Sequence, residues 1–196
     1  MSRLNMRKSL LILGYNANES TLLSELSKVG FDVSQTSDAV QDLSKFDLVI
    51  SYGYKKILDQ KTIESAQRPV INLHISYLPF NRGIHPNFWS FFDETPSGIS
   101  IHEIEKGIDT GPILFQKEMH FHPKNQTFSQ TYFLLRSAIE ELLLTNLKAI
   151  SNNDCASRPQ LGEGTYHAKK DLPSDFRGWN CNIYNEITRL RNQRST

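Results

Sequence analysis

Apolar residues come along this chain in short runs separated by polar, turn-forming segments, and the spacing inside each run distinguishes strand from helix. Ser9 to Tyr15 is an apolar run ending at Gly14, which predicts a strand. After a turn at Asn16 to Ser20, the residues Leu22, Leu23, Leu26 and Val29 recur at helical spacing and predict a helix that buries all four. Gly30 ends that helix, Phe31 to Thr36 alternates as a second strand would, and Asp47 to Ser51 reads as a third, buried strand. Tyr52 to Tyr54 is a turn, Lys61 to Ala66 a short helix, and Val70 to Ile75 a fourth strand. The pattern then predicts a loop from Ser76 to Gly83, an aromatic helix from Pro86 to Phe92, and strands at Gly98 to Ile104 and Pro112 to Phe121. Phe128 to Ile150 is one long amphipathic helix with Tyr132, Leu135, Ile139, Leu142 and Leu143 on its buried stripe. A polar loop from Ser151 to Gly164 and a final short helix marked by Ile183, Ile187 and Leu190 close the chain. Strands alternating with helices predict an α/β fold: an open, mainly parallel sheet with flanking helices, whose ligands bind outside the carboxyl ends of the strands.

Composition narrows the function classes. The 196 residues, 38% hydrophobic and 22% charged, suit one globular domain able to bury a core without staples. A formal net charge of +1 gives no electrostatic reason to expect a nucleic acid or an anionic membrane as partner. The segment Met1 to Leu13 is basic and then apolar, but its apolar run is too short for a signal peptide or a membrane span, so a cytoplasmic location is expected. Cys155 and Cys181 lack a CxxC spacing and fit reduced structural thiols. His120 and His122 share a strand face without a third ligand nearby, so no metal is expected. The turn after the first strand lacks the GxGxxG glycines of a dinucleotide fold. It can cradle an anion in its amides, or it can simply cap the helix through Asn18 or Ser20.

The fourth strand carries polar residues inside an apolar run. Asn72 and His74 lie two apart, so their side chains share a face that an apolar strand would bury. Burying an amide and an imidazole costs on the order of 1–3 kcal/mol each unless they are paired. Taken alone, a satisfied core Asn–His pair is the commoner explanation of such a placement.

The surrounding string bears on the choice. Val70 to Gln116, with Asn72-x-His74 at a strand end, the loop Ser76-x-Leu78-Pro79-x-x-Arg82-Gly83, and later Asp109-x-Gly111, closely resembles the folate-dependent formyltransferase family. Glycinamide ribonucleotide, methionyl-tRNA and sugar-nucleotide formyltransferases belong to it. The resemblance implies a Rossmann-like fold and transfer of a formyl group from 10-formyltetrahydrofolate to a primary amine. It implies that Asn72 and a protonated His74 supply donors to the developing oxyanion, and that Asp109 orients His74 and receives or relays the amine proton. The pterin is expected against the backbone of Lys56, Ile57 and Leu58 and of the segment Glu105 to Asp109, including Gly107 and Ile108. For Ile57 and Leu58, plain helix core is the competing expectation.

Asn72 comes early compared with larger relatives, so the sheet is expected to be N-terminally trimmed by about one βα unit. A catalytic domain at 1–150 with a C-terminal loop and short helix at 151–196 follows. The helix around Trp89, the Gly107 to Gly111 string, and Tyr166-His167 followed by Lys169 and Lys170 resemble pieces of sugar-nucleotide N-formyltransferases. The expected acceptor is a nucleotide-linked amino sugar, contacted by Ser76, Arg82, Gly83, Trp89, Tyr166 and His167. Glycinamide ribonucleotide, or folate binding without catalysis, are the competing readings. Ile113, Phe115, Phe121 and the last helix offer apolar surface for a homodimer.

Overall fold

A computed structural model describes residues 7–194; the basic start of the Met1 to Leu13 segment falls largely outside them. The elements in chain order are β1 (Ser9–Gly14), α1 (Leu22–Lys28), β2 (Asp32–Thr36), β3 (Leu48–Tyr52), α2 (Gln60–Ser65), β4 (Ile71–His74), β5 (Arg82–Gly83), α3 (Pro86–Phe92), β6 (Gly98–Glu103), β7 (Ile113–Glu118), α4 (Phe128–Asn152), β8 (Tyr166–His167) and α5 (Ile183–Arg194). Six strands form one open sheet in the order β2-β1-β3-β4-β6-β7. The first four run parallel, and β6 is antiparallel to both of its neighbours, β4 and β7, so the sheet is mixed but mostly parallel with helices flanking it. β5 and β8 pair separately as a short parallel ladder.

The chain leaves β1 for β2 on one side and returns to β3 on the other, so the winding reverses between β1 and β3. A crevice opens at the carboxyl ends of strands around such a reversal, and β4 ends one strand away. β3 is buried on both faces, as its continuous apolar run requires, and its Ile50 and Ser51 lie beside Ile71 and Asn72 of β4.

Helix α4 packs along the sheet through Leu135, Ile139, Leu143, Leu147 and Ile150, and it opens with a capping box in which Thr127 and Gln130 satisfy each other's backbone donors. Its stripe is rotated from the sequence reading. Tyr132 lies on the flank, partly exposed, where its hydroxyl meets that of Tyr15 at 2.7 Å. Val29 also departs from expectation: it caps α1 and is 60% exposed, because the helix ends one residue before it. Lys56 to Leu58 lie on the loop between β3 and α2, not in a helix.

The C-terminal segment packs into the body. Ile183, Ile187 and Leu190 of α5 join Phe88, Trp89 and Phe128 in a second apolar cluster. Ile113 is buried, while Phe115 and Phe121 are partly buried against the main core. Among the described residues no helix is long and apolar enough to cross a membrane, and both cysteines are unpaired.

The stripe assignment makes a paired prediction. Leu143→Ala removes a fully buried side chain and is expected to cost about 2–5 kcal/mol. Val29→Ala should stay within about 0.5 kcal/mol. Urea unfolding of both variants checks this, and comparable losses would show that α1 buries Val29 after all.

Candidate active site

The carboxyl end of β4 delivers Asn72 half-buried and His74 8% exposed, and antiparallel pairing sets Asn72 beside His102 and His74 beside Ser100 of β6. Asp109 returns to the same place from the loop between β6 and β7 in a left-handed conformation, φ +53°. Asn72 Nδ2 donates to Asp109 Oδ1 at 3.2 Å, and the Gly83 amide donates to Asp109 Oδ2 at 2.8 Å. His74 Nε2 lies 3.7 Å from Asp109 Oδ2. The three polar residues that the sequence singled out therefore share one site.

A fourth member, His102, was not anticipated. Its Nδ1 lies 2.8 Å from the Glu103 carbonyl, which only accepts, so Nδ1 carries the proton. Nε2 is then an acceptor in the neutral ring, and it faces Asn72 Nδ2 at 3.1 Å and Asp109 Oδ1 at 3.5 Å. The signal was available: Ser100 and His102 alternate with Ile99 and Ile101 just as Asn72 and His74 alternate with Ile71 and Leu73. One consequence touches Asn72. Both of its amide hydrogens are engaged at rest, toward Asp109 and toward His102.

Burial dominates the electrostatics. It pushes the Asp109 carboxyl up, but the facing imidazole of His74, the neighbouring His102 and the Gly83 amide together bring it well below the ordinary carboxylate range. Burial lowers His74 below the usual imidazole value, against the opposing pull of Asp109. His74 Nε2 also donates to the Asn81 carbonyl at 3.2 Å. The resting site thus holds a carboxylate beside a neutral imidazole, where the resemblance implied an imidazolium.

The remaining candidates divide by accessibility. Ile57 is 86% exposed on its loop, while Leu58 and Ile104 pack on one small apolar cluster, so the exposed stretches 55–57 and 105–108 extend from a common support. Helix core therefore does not describe Ile57. Lys56 is exposed, its ammonium 3.8 Å from Asp38. Ser76 is buried, and its hydroxyl donates to the Phe80 carbonyl, so it shapes the loop and offers nothing to a ligand. Trp89 is 3% exposed, with His167 stacked on its ring at 3.8 Å, so it presents no free face. His167 is itself held between Trp89 and Asp93, whose Oδ2 is 2.7 Å from Nε2. Tyr166 is 52% exposed. Arg82 turns to Gln160 through Nε and Nη2. Around the turn after β1, Glu19 accepts from the Asn16 amide and Ser20 Oγ from the Leu22 amide, while the N-cap residue Thr21 makes no side-chain cap bond. His120 is exposed, and among the described residues no group of three or more His, Cys, Asp or Glu is arranged to hold a metal.

Comparison with known proteins is specific. Residues 18–147 match the formyl transferase family. The chain is 34% identical over 132 residues to a methionyl-tRNA formyltransferase of Thermodesulfovibrio yellowstonii, covering 65% of this chain and 41% of the relative. It is 30% identical over 130 residues to the dTDP-4-amino-4,6-dideoxyglucose formyltransferase of Mycobacterium bovis, covering 66% of this chain and 54% of the relative. The chain thus spans about half the length of the curated relatives it matches. Among solved structures, the formyltransferase PseJ from Anoxybacillus kamchatkensis, in complex with UDP-4,6-dideoxy-4-formamido-L-AltNAc and tetrahydrofolate, superposes with a TM-score of 0.82 at 34% identity. That match covers 91% of this chain and 97% of the other.

The site's supporting loop yields a stability prediction. A Cβ on Gly83, at φ +89°, would meet the His167 carbonyl at 2.3 Å, whereas one on Gly162, at φ +81°, meets nothing within 4 Å. Gly162→Ala should carry only the left-handed backbone cost of about 1–2 kcal/mol. Gly83→Ala should cost clearly more, and equal melting temperatures for the two variants would argue against the β5–β8 pairing.

Proposed function

The chain belongs to the formyl transferase family, and on that premise we propose that it moves a formyl group from 10-formyltetrahydrofolate to the primary amine of an amino-deoxysugar linked to a nucleotide. The similarity to PseJ carries the acceptor class. It extends over nearly the whole of both chains, and that protein's complex holds a 4-formamido sugar on UDP together with tetrahydrofolate. A UDP-linked 4-amino-4,6-dideoxy sugar is accordingly the first acceptor to test.

In this reading the donor lies against Lys56 to Leu58 and Glu105 to Ile108, beside Asp109; residues 55–57 and 105–108 are exposed and Leu58 packs beneath them, which supports the placement. Bound there, it supplies an activated formyl carbon to a neutral amine. In the proposed reaction His74, neutral at rest with its Nε2 proton on the Asn81 carbonyl, takes a proton from the attacking amine at Nδ1. The imidazolium forms beside the Asp109 carboxylate, which stabilises it and keeps it oriented. The Asn72 hydrogen directed at Asp109 turns to the negative charge gathering on the formyl oxygen, while Asp109 keeps the Gly83 amide and His102 keeps the other Asn72 hydrogen. His74 can return its proton to the departing nitrogen. Arg82, Gly83, Tyr166 and His167 build the acceptor side, Tyr166 offering the exposed ring and the other three its support.

The test is formyl transfer, followed by release of tetrahydrofolate, to UDP- and dTDP-linked 4-amino and 3-amino deoxysugars, to methionyl-tRNA and to glycinamide ribonucleotide. Turnover on an amino-sugar nucleotide is expected, with kcat/KM reduced about 10²–10⁴-fold in His74→Ala. Turnover on methionyl-tRNA or glycinamide ribonucleotide alone would overturn the acceptor class, and donor binding without transfer would overturn the enzyme reading.

The pH dependence has a defined sign. Activity requires neutral His74, so kcat/KM should fall on the acid side below a pKa lying under the ordinary imidazole value. Asp109 raises that pKa, so in Asp109→Asn the acid limb of the residual activity should move to lower pH. A limb that moves up or stays would sever the link between the two residues. His102→Phe should lower kcat about tenfold, the ~1.4 kcal/mol scale of one hydrogen bond, with the fold retained by circular dichroism.

A further inference from the structure

Gln160 lies on the segment between α4 and β8, beyond the residues that match the family. Its side chain is fully used. Oε1 accepts from Arg82 Nε at 3.0 Å and from Arg82 Nη2 at 2.7 Å, while Nε2 donates to the carbonyls of Asp109 and Gly111, each at 2.8 Å. Turned over, the amide would set hydrogens against a guanidinium and an oxygen against two carbonyls, so the contacts themselves fix its orientation.

These four bonds close a ring around the site. Gly83, next to Arg82, donates to the Asp109 carboxylate, and Gln160 joins Arg82 to the main chain of Asp109 itself. The loop's own bonds are few: the Thr110 hydroxyl donates to the Lys106 carbonyl at 3.3 Å, and at its base the Glu103 amide donates to the Pro112 carbonyl at 2.9 Å. Residues 105–108 are exposed, Gly107 has φ +117°, and Asp109 occupies a left-handed conformation that a non-glycine residue keeps only when its surroundings impose it. The segment that carries Gln160 is, by contrast, pinned on both sides. Ile113 and Arg158 exchange backbone hydrogen bonds at 2.7 and 2.9 Å. Beyond Gln160, the Thr165 carbonyl accepts from the Arg82 amide at 2.9 Å, and a Cβ on Gly164 would meet the Pro79 carbonyl at 2.1 Å.

We infer that Gln160 is a positioning residue for formyl transfer: by clamping the Asp109 main chain to Arg82 it sets the Asp109 carboxylate against His74 and Asn72. The inference rests on the proposed role of Asp109. It predicts that Gln160 governs turnover through the main chain of Asp109, a role distinct from that of Tyr166 further along the same segment.

Gln160→Ala and Gln160→Met test it, the second keeping volume if the first packs poorly, and both leaving net charge unchanged. In each, kcat should fall about ten- to a hundredfold, the scale of a misplaced catalytic group, with the KM for the formyl donor changed less than about threefold. A second readout needs no activity: NMR titration of the His74 imidazole in the wild type, Asp109→Asn and both Gln160 variants. The titratable groups facing His74 are Asp109 on its loop and His102 on β6. The His74 pKa should fall in Asp109→Asn and fall less, in the same direction, when Gln160 is replaced. If Asp109→Asn lowers it while both Gln160 variants leave it and kcat unmoved, the inference is overturned and the role of Asp109 stands. If Asp109→Asn itself leaves it unmoved, the pairing of Asp109 with His74 fails and takes the inference with it.

Discussion

A carboxylate removed from water must be surrounded by donors or it takes up a proton, and the architecture around Asp109 follows from that requirement. The chain supplies the Gly83 amide to one oxygen, the Asn72 amide to the other, and two imidazoles at 3.5 and 3.7 Å. These groups come from three elements: Asn72 and His74 from β4, His102 from β6 and Gly83 from β5. To meet all of them Asp109 adopts positive φ, and Gly83 must forgo a Cβ because β8 passes directly above it. The arrangement is a single electrostatic unit, so loss of one donor is felt by the others as a change in hydrogen bonding or in proton affinity.

The sheet makes this possible by placing rigid strand ends where the loops converge. β4 lies between β3 and β6, so Asn72 is paired on both edges, and His74 is paired with Ser100 of β6. The switch to antiparallel pairing at β6 brings His102 level with Asn72, a register that a parallel neighbour reached through a crossover helix would not give so simply. The loops contribute the groups that need unusual backbone conformations, and the strands contribute those that need fixed spacing.

Much of this was legible in the sequence, because hydrophobic period and turn residues locate strands and helices that bury one face. The six strands of the main sheet and the helices α3, α4 and α5 correspond to segments whose apolar pattern is strong. Asn72, His74 and Asp109 were legible as a group through the family resemblance, and the polar alternation on β4 pointed to the first two unaided. His102 carried the same alternation on β6, but a lone histidine in a strand has no partner until the register is known. Trp89 and Ser76 show the opposite failure. An aromatic residue and a hydroxyl beside a site read as ligands in one dimension, whereas in three dimensions His167 covers the one and the Phe80 carbonyl satisfies the other. The loop position of Ile57 and the flank position of Tyr132 turn on where a helix begins and how it is rotated, which propensity resolves least well.

The segment after α4 was the least legible, and the physics explains why. Its contribution is made through main-chain hydrogen bonds and one amide side chain: a two-residue ladder with β5, a bridge at Ile113 and Arg158, and the four contacts of Gln160. None of these leaves a hydrophobic period, and a glutamine in a polar stretch looks like solvent-facing loop. Yet the loop bearing Asp109 lacks regular secondary structure, so contacts from neighbouring elements help to set its conformation. A strap anchored at both ends by the body of the fold can do so at the cost of little buried area, and the same strap carries Tyr166 to the rim. In the proposed reaction the posture of the catalytic carboxylate and the wall of the acceptor site then share one support, so a change in acceptor preference built into this segment would also alter the setting of Asp109.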